Sequence, residues 1–332
     1  MLSKLLWSRS PLASAPSRRS ERSEVMLRHT RECPTRLQPT EQLKSLSQAP
    51  DESTNAWRIY HDPRAGIWVD HFDGRWLVQT KDRAFPKFLI DLAEGVATSL
   101  YWRPRDKAAS TAPEHQWGEV VKERFEVRES GAKFLIDFSS GYSSGIFLDQ
   151  RLNRLRVQKS VKAGDRVLNT FAYTGAFSVM AALGGAITTT CDLSRTYLDW
   201  TWDNFRLNGL NPDDHFGCKG DTFDWMGAFK KKERTFHGVI LDPPTFSRNK
   251  KKTFRTDLDY GDLAGLAAEI VEPGGWILAC ANTHKLSSQD FRRDVLAGIE
   301  RAGRSVKGCE PQKMPPEFHN DDYLKSLWVV VG

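Results

Sequence analysis

Three short stretches carry side chains suited to binding a nucleoside-like ligand and a planar base. The β-branched run Ile187-Thr188-Thr189-Thr190-Cys191 ends in Asp192, where a carboxylate can accept hydrogen bonds from a ribose diol. Fifty residues on, Val239-Ile240-Leu241 runs into Asp242-Pro243-Pro244-Thr245-Phe246. Two successive prolines lack amide protons and stop a strand with a stiff, extended backbone. The carbonyls of Asp242 and Pro243 are then expected to lack sheet partners and to face a substrate. Phe246 can stack on a planar ring, a contact worth about 1–3 kcal/mol per base. An isolated Pro-Pro pair would simply end a strand; its place after the acidic strand end at Asp192 favours a binding role. Upstream, Val167-Leu168-Asn169-Thr170-Phe171-Ala172-Tyr173-Thr174-Gly175 is an apolar run closing in an aromatic-rich turn.

The elements that must hold these residues alternate between strand and helix. Strands are predicted over Arg166–Ala172, Ile187–Asp192, His215–Lys219, Gly238–Asp242 and Trp276–Ala281. Helices are predicted over 176–183, 195–208 (capped by Ser194 and closed by Gly209), 223–229, up to Val271, and 287–302. Such alternation demands a parallel sheet with helical crossovers. Two closing strands, near Ser305–Cys309 and Leu324–Val331, have little between them and suggest an antiparallel hairpin at one edge. In sheets of this kind the strand-turn-helix corner at Gly175 is where a nucleotide-like ligand sits. Dinucleotide enzymes place Gly-x-Gly-x-x-Gly there to cradle a pyrophosphate. Only Gly175 occupies this turn, and Gly184-Gly185 lies beyond the helix as its stop. The missing glycines argue against NAD or FAD and for a ligand without phosphates.

Five ordered segments carry a resemblance. They are Ser144–Arg151 (SGIFLDQR), Leu168–Gly175 (LNTFAYTG), Asp192–Leu198 (DLSRTYL), Asn204–Leu210 (NFRLNGL) and Asp242–Lys250 (DPPTFSRNK). In these the chain resembles class I S-adenosylmethionine-dependent methyltransferases, and is similar above all to bacterial large-subunit rRNA methyltransferases. The guanine-N7 enzyme found as the C-terminal half of a fused protein is the nearest in pattern, with related cytosine-C5 enzymes beside it. The resemblance covers roughly residues 55 to 331. It implies an α/β fold with a Rossmann-like seven-stranded methyltransferase sheet, mostly parallel with an antiparallel edge hairpin, and a smaller N-terminal α+β domain. The expected division is a basic tail over 1–50, an accessory domain over 51–140 and a methyltransferase domain over 141–332.

The resemblance also implies roles. Phe171, Tyr173 and Gly175 would line the methionine end of S-adenosylmethionine, Asp192 its ribose, and Leu193 and Ser194 its adenine. Asp221 would meet the adenine amino group, with Thr222 beside it. Asp149 and Arg151 would belong to a segment closing over the cofactor; a surface ion pair is the plainer alternative. Asp242, Pro243, Pro244 and Phe246 would form the methyl-transfer site, Asp242 touching the cofactor as well.

Methylating a cytosine carbon needs a cysteine nucleophile. None of Cys33, Cys191, Cys218, Cys280 and Cys309 lies in or just after the Asp-Pro-Pro motif, and Cys280 reads as a core residue. Where the cytosine-C5 enzymes carry a cysteine this chain has about Asn282. Guanine N7 has a free lone pair and needs only alignment with the methyl group. N7 of a guanine in 23S rRNA is therefore the expected target. Cytosine C5 and an inactive RNA-binding relative are the alternatives.

Arg248 with Lys250, Lys251 and Lys252 follows the target-base motif directly and is expected to neutralise RNA phosphates. Net charge itself argues little. Residues 1 to 40 hold eight Lys or Arg against three Glu, so they supply +5 of the chain's +6. That stretch could be an organelle transit peptide, a disordered RNA-binding arm, or an extension ahead of a start at Met26. Scattered cysteines without a Cys-x-x-Cys pair favour a reducing compartment and no zinc. No apolar run reaches the 18 residues of a membrane span. Cytoplasmic location, RNA or a ribosome assembly intermediate as partner, and no metal are the resulting expectations. In the accessory part, strands are expected at 57–60, 67–71 and 76–80, a helix at 85–100, a loop at 102–117 and a hairpin around Gly131.

Overall fold

The computed structural model describes residues 49–105, 112–141, 143–248, 253–319 and 321–332, with the backbone alone at 246–248, 253–255, 257 and 258. The Lys250, Lys251 and Lys252 run and nearly all of the basic tail lie outside these residues.

The chain first builds a five-stranded sheet from β1 (Ala56–Asp62), β2 (Ile67–Phe72), β3 (Arg75–Thr80), β4 (Ser99–Pro104) and β5 (Glu114–Gly118), paired in that order. Only β3 and β4 run parallel, and α1 (Phe88–Ala93) joins them. Alternation gives this sheet two unlike faces. Trp57, Ile59, Val69, Trp76, Val78 and Leu100 pack with Leu89 and Ala93 of α1. The other face carries Arg58, Asp70 and Gln79 beside Phe72, Leu77 and Tyr101. A hairpin of β6 (Phe125–Glu129) and β7 (Ala132–Ile136) follows.

Two expectations fail here. The helix expected over 85–100 is six residues long, and Leu100 instead belongs to β4. The loop expected over 102–117 contains the end of β4 and all but the last residue of β5, which pair antiparallel. β5, Glu-His-Gln-Trp-Gly, is an edge strand with no buried residue, so it lacks the apolar alternation that marks strands in a sequence.

After α2 (Arg151–Ser160) the core alternates as expected: β8 (Arg166–Thr170), α3 (Ala176–Leu183), β9 (Ile187–Asp192), α4 (Arg195–Leu207), β10 (Phe216–Lys219), α5 (Thr222–Lys231) and β11 (Phe236–Leu241). A small hairpin, β12 (Phe246–Arg248) with β13 (Thr253–Arg255), leads into α6 (Thr256–Ile270), β14 (Val271–Asn282), α7 (Ser288–Arg301), β15 (Val306–Gln312) and β16 (Leu324–Val331). The seven strands pair as β10-β9-β8-β11-β14-β16-β15, with β16 antiparallel to both neighbours. Residues 272–275, between the expected helix and strand, are absorbed into β14 as an irregularity: Phe236 pairs with Val271, and Gly238 with Trp276.

One face of this sheet packs α5, α6 and α7 through Leu241, Leu263, Ala267, Phe291 and Val295, all buried. On the other face, Val127 and Phe134 of the hairpin, Phe72 of the first sheet and Val179 and Met180 of α3 share one apolar cluster. The Asn204–Asn208 segment of the fourth motif has a structural explanation. Asn204 Oδ1 accepts from the Leu135 N–H (2.9 Å), and Asn208 Oδ1 from the Lys133 N–H (2.8 Å). The two asparagines therefore cap the otherwise unpaired edge of β7.

Candidate active site

β8 delivers the chain into a strained corner. Phe171 (φ 52°), Tyr173 (φ 51°) and Gly175 (φ 74°) all adopt left-handed backbone, two of them with a Cβ. Each such non-glycine residue costs about 1–3 kcal/mol and persists only where its surroundings over-determine it. Here the determinants are visible. Asp192 Oδ2 accepts from the Tyr173 N–H and Oδ1 from the Ser194 N–H, both at 2.8 Å. Tyr173 sends its hydroxyl to the Ser143 carbonyl (2.8 Å), and Thr174 Oγ1 reaches the Gly145 carbonyl (2.5 Å). The strap 143–149 is thus tied over the corner. A Cβ at Gly175 would lie 2.3 Å from Thr201 of α4. Gly175→Ala is accordingly expected to destabilise the fold by about 1–3 kcal/mol, read as a lowered urea midpoint at unchanged slope.

The Asp192 carboxyl is raised by burial, against the pull of the Ser194, Tyr173 and Leu193 backbone N–H groups. Leu193, half exposed, follows it, and Ser194 caps α4 by accepting from the Tyr197 N–H. Asp221 caps α5, accepting from the Phe223 and Asp224 N–H groups, and Thr222 is buried beside it. Asp192 and Asp221 thus stand at the ends of β9 and β10, on the side of the sheet where the Tyr173–Gly175 corner lies.

Asp242 ends β11, the next strand across from β8. Burial, reinforced by the nearby Asp149 charge, pushes its carboxyl up to about 7. Gln150 Nε2 donates to Asp242 Oδ2 at 3.1 Å, and the Gln150 carbonyl oxygen accepts from Asn153 Nδ2, which also reaches Ser326 Oγ at 3.0 Å. This buried chain fixes which way the Gln150 amide points. Neither Gln150 nor Asn153 was singled out in the sequence; Gln150 stands inside the matched segment Ser144–Arg151, which was the available signal. Beyond Asp242, Pro243 is buried and Pro244 exposed. Thr245 Oγ1 donates to the Asn282 carbonyl (2.5 Å), pinning the loop to the end of β14. Phe246 and Arg248 enter through their backbone in β12, so their side-chain roles are not located.

A carboxyl raised from 3.8 to about 7 holds a native proton that the unfolded chain has already released between those values. Its contribution to stability is complete below about pH 4 and is lost as pH rises to about 7. Asp242→Asn removes this dependence. The difference in urea midpoint between variant and wild type is expected to grow in the variant's favour from pH 4.5 to pH 7.5.

Asp149 and Arg151 do not form a surface ion pair. Both are buried, and each has its own partner: Asp149 Oδ2 accepts from the Tyr323 hydroxyl (2.8 Å), while Arg151 pairs with Glu317 (Nη2–Oε2 3.0 Å). Cys280 is fully buried beneath Asp242, 3.5 Å from Ser326 Oγ, and burial with the Asp242 charge pushes its thiol well up. A thiol so held is a poor source of thiolate. Cys191 and Cys218 are buried as register neighbours on β9 and β10.

The donor set fits an adenosyl ligand without phosphates: an oriented carboxylate at a ribose position, an exposed leucine beside it, and one glycine in the turn. The comparisons agree. Residues 92–331 match the family described as S-adenosylmethionine-dependent methyltransferase. A relative from Shewanella pealeana named ribosomal RNA large subunit methyltransferase K/L is 35% identical over 303 residues, covering 85% of this chain and 41% of that protein. Ribosomal RNA large subunit methyltransferase K from Neisseria meningitidis is 31% identical over 286 residues, covering 80% of this chain and 77% of its own length. The chain thus spans less than half of the longer relative. The crystal structure of SMU.776 complexed with SAH superposes with a TM-score of 0.78 at 26% identity, covering 88% of this chain and 80% of that one. An S-adenosylmethionine-dependent methyltransferase from Agrobacterium tumefaciens shares the fold at TM-score 0.63 and 16% identity, over 85% and 90% of the two chains. With this corner, this carboxylate and this family match together, the chain belongs to the S-adenosylmethionine-dependent methyltransferases.

Proposed function

We propose that the protein methylates N7 of a guanine in 23S rRNA, acting in the cytoplasm on free rRNA or a ribosome assembly intermediate. The observation that carries the choice of atom is the pairing of a buried, high-pKa Cys280 with Asn282 at the strand end. Attack on cytosine C5 needs a thiolate that can reach the ring, and among the described residues no cysteine beside Asp242 is suited to supply one. The Shewanella and Neisseria relatives, both named for large-subunit rRNA, support the substrate class.

In this reading Tyr173, Gly175, Asp192, Leu193, Ser194 and Asp221 hold the cofactor. When bound, S-adenosylmethionine supplies a methyl group on a positively charged sulfur. The protein's own task is positional. Asp242, oriented by Gln150, and Pro243 flank the target base, while Phe246 stacks on it. Excluding water and aligning a lone pair suffice, with no general base. Arg248 and Lys250 to Lys252 neutralise nearby phosphates, and the domain over 51–140 guides the RNA. No helix among the described residues is long and apolar enough to cross a membrane.

The test is transfer of labelled methyl from S-adenosylmethionine to 23S rRNA taken from a deletion strain, followed by nucleoside analysis. Label in 7-methylguanosine is expected; label in 5-methylcytidine would contradict the choice of atom. Phe246→Ala is expected to lower turnover on RNA about tenfold, on the scale of one lost base stack, with cofactor affinity unchanged. Intact turnover in that variant would remove the stacking role.

A further inference from the structure

The polar face of the five-stranded sheet meets the strap 143–149 and the ends of β14 and β16 across a cavity of about 140 Å³. That is below the roughly 300–1,000 Å³ of a site for a whole small molecule, and it suits a single base. Its walls are chemically uneven. Arg58 is already neutralised by a two-point pair with Asp70 (2.7 and 3.1 Å), and Gln79 donates to the same carboxylate at 3.0 Å. Arg103, donating to the Gly141 carbonyl at 3.1 Å, and Arg105, whose guanidinium lies 4.3 Å over the Trp68 ring, bring further positive charge to the same wall.

Across the cavity stand two buried polar atoms with no hydrogen-bond partner, Asp149 Oδ1 and Ser144 Oγ. A buried carboxylate oxygen left unpaired is costly, and an incoming N–H donor removes that cost. Asn282, tied to the Asp242–Thr245 loop through its carbonyl, lines the same cavity, which therefore adjoins the methyl-transfer site. Guanine alone among the four bases presents two adjacent N–H donors on its Watson–Crick edge, N1–H and N2–H, the edge facing away from N7. A carboxylate is the complementary acceptor.

We propose that this cavity receives the target guanine flipped out of the RNA, with Asp149 Oδ1 accepting from its N1–H and N2–H edge and Arg103 and Arg105 holding its phosphate. The assignment rests on the guanine-N7 reading above and moves Asp149 from the cofactor to the base. It makes the accessory sheet part of the specificity pocket. Taking the base out of the stack is what chemistry on a base buried in structured RNA requires.

The experiment uses a synthetic rRNA fragment carrying the target guanine, or inosine, which lacks the N2 amino group, at the same position. Wild type is expected to prefer guanine about tenfold in single-turnover kcat/KM, the discrimination of one good base-edge contact. In Asp149→Ala that preference is expected to fall below about threefold, while the Kd for S-adenosylmethionine, by calorimetry, stays within about threefold. Arg105→Ala, at an exposed position, is expected to raise KM for both fragments about equally. A preserved guanine preference in Asp149→Ala overturns the base contact, and so does a loss of cofactor affinity, which would make Asp149 a cofactor ligand. An unchanged KM in Arg105→Ala overturns the phosphate site. A wild-type protein that binds the cofactor yet methylates neither fragment nor rRNA overturns the underlying reading instead.

Discussion

Asp192→Ala is expected to weaken S-adenosylmethionine binding by at least about 100-fold, some 2.7 kcal/mol. Hydrogen bonds to a charged acceptor contribute about 1.5–3 kcal/mol each, and a ribose diol offers two. A second loss adds to the first. The Tyr173 and Ser194 N–H groups, each 2.8 Å from an Asp192 oxygen, lose their acceptor, and the left-handed Tyr173 loses one of the bonds that hold it. Asp192→Asn, which keeps one carbonyl acceptor, is expected to fall between wild type and the alanine variant. Calorimetric titration of folded protein checks this. A Kd for Asp192→Ala within tenfold of wild type would contradict the ribose assignment.

Glu129→Ala is expected to lower the free energy of unfolding by about 3–5 kcal/mol, the usual cost of removing one partner of a buried ion pair. Glu129 on β6 and Arg154 on α2 are both essentially inaccessible and meet through two bonds of 2.7 Å. Arg154 also donates to the Phe147 carbonyl at 2.8 Å, so the pair ties the hairpin to the strap. Its loss strands a guanidinium among apolar side chains such as Phe177. The companion double variant Glu129→Leu with Arg154→Leu, with no charge left behind, is expected to recover much of the loss. Urea midpoints measure both. A loss under 1 kcal/mol for Glu129→Ala would mean that water reaches the pair.

The core was legible because its strands are apolar, separated by helices of ordinary length and punctuated by Gly175, Ser194, Gly209 and Ser287. Strand Ile187–Asp192 and the cap at Ser194 agree with the sequence reading to the residue. α2 was not foreseen because it buries Arg151, Asn153 and Arg154, polar residues satisfied by Glu317, Ser326 and Glu129 from distant parts of the chain and by the neighbouring Gln150. Such tertiary pairing leaves no local periodicity to read. The same reason hid the polar wall of the cavity between the sheets, whereas β5 was hidden as an edge strand with no buried residue. The acidic strand ends, by contrast, were legible as positions, because Asp192 and Asp242 each close a strand read directly from the sequence. Asp221 is the mixed case. Its capping of α5 accounts for the residue type, and contact with the adenine amino group is a further role proposed for it.

The proposed reaction places a methyl group on one guanine of 23S rRNA. Mass mapping of 23S rRNA from a deletion strain and its complemented parent tests it most directly. One 7-methylguanine is expected to disappear in the deletion and to return with wild type but not with Asp192→Ala. Loss of a 5-methylcytosine, or a modification map identical in both strains, would contradict the account.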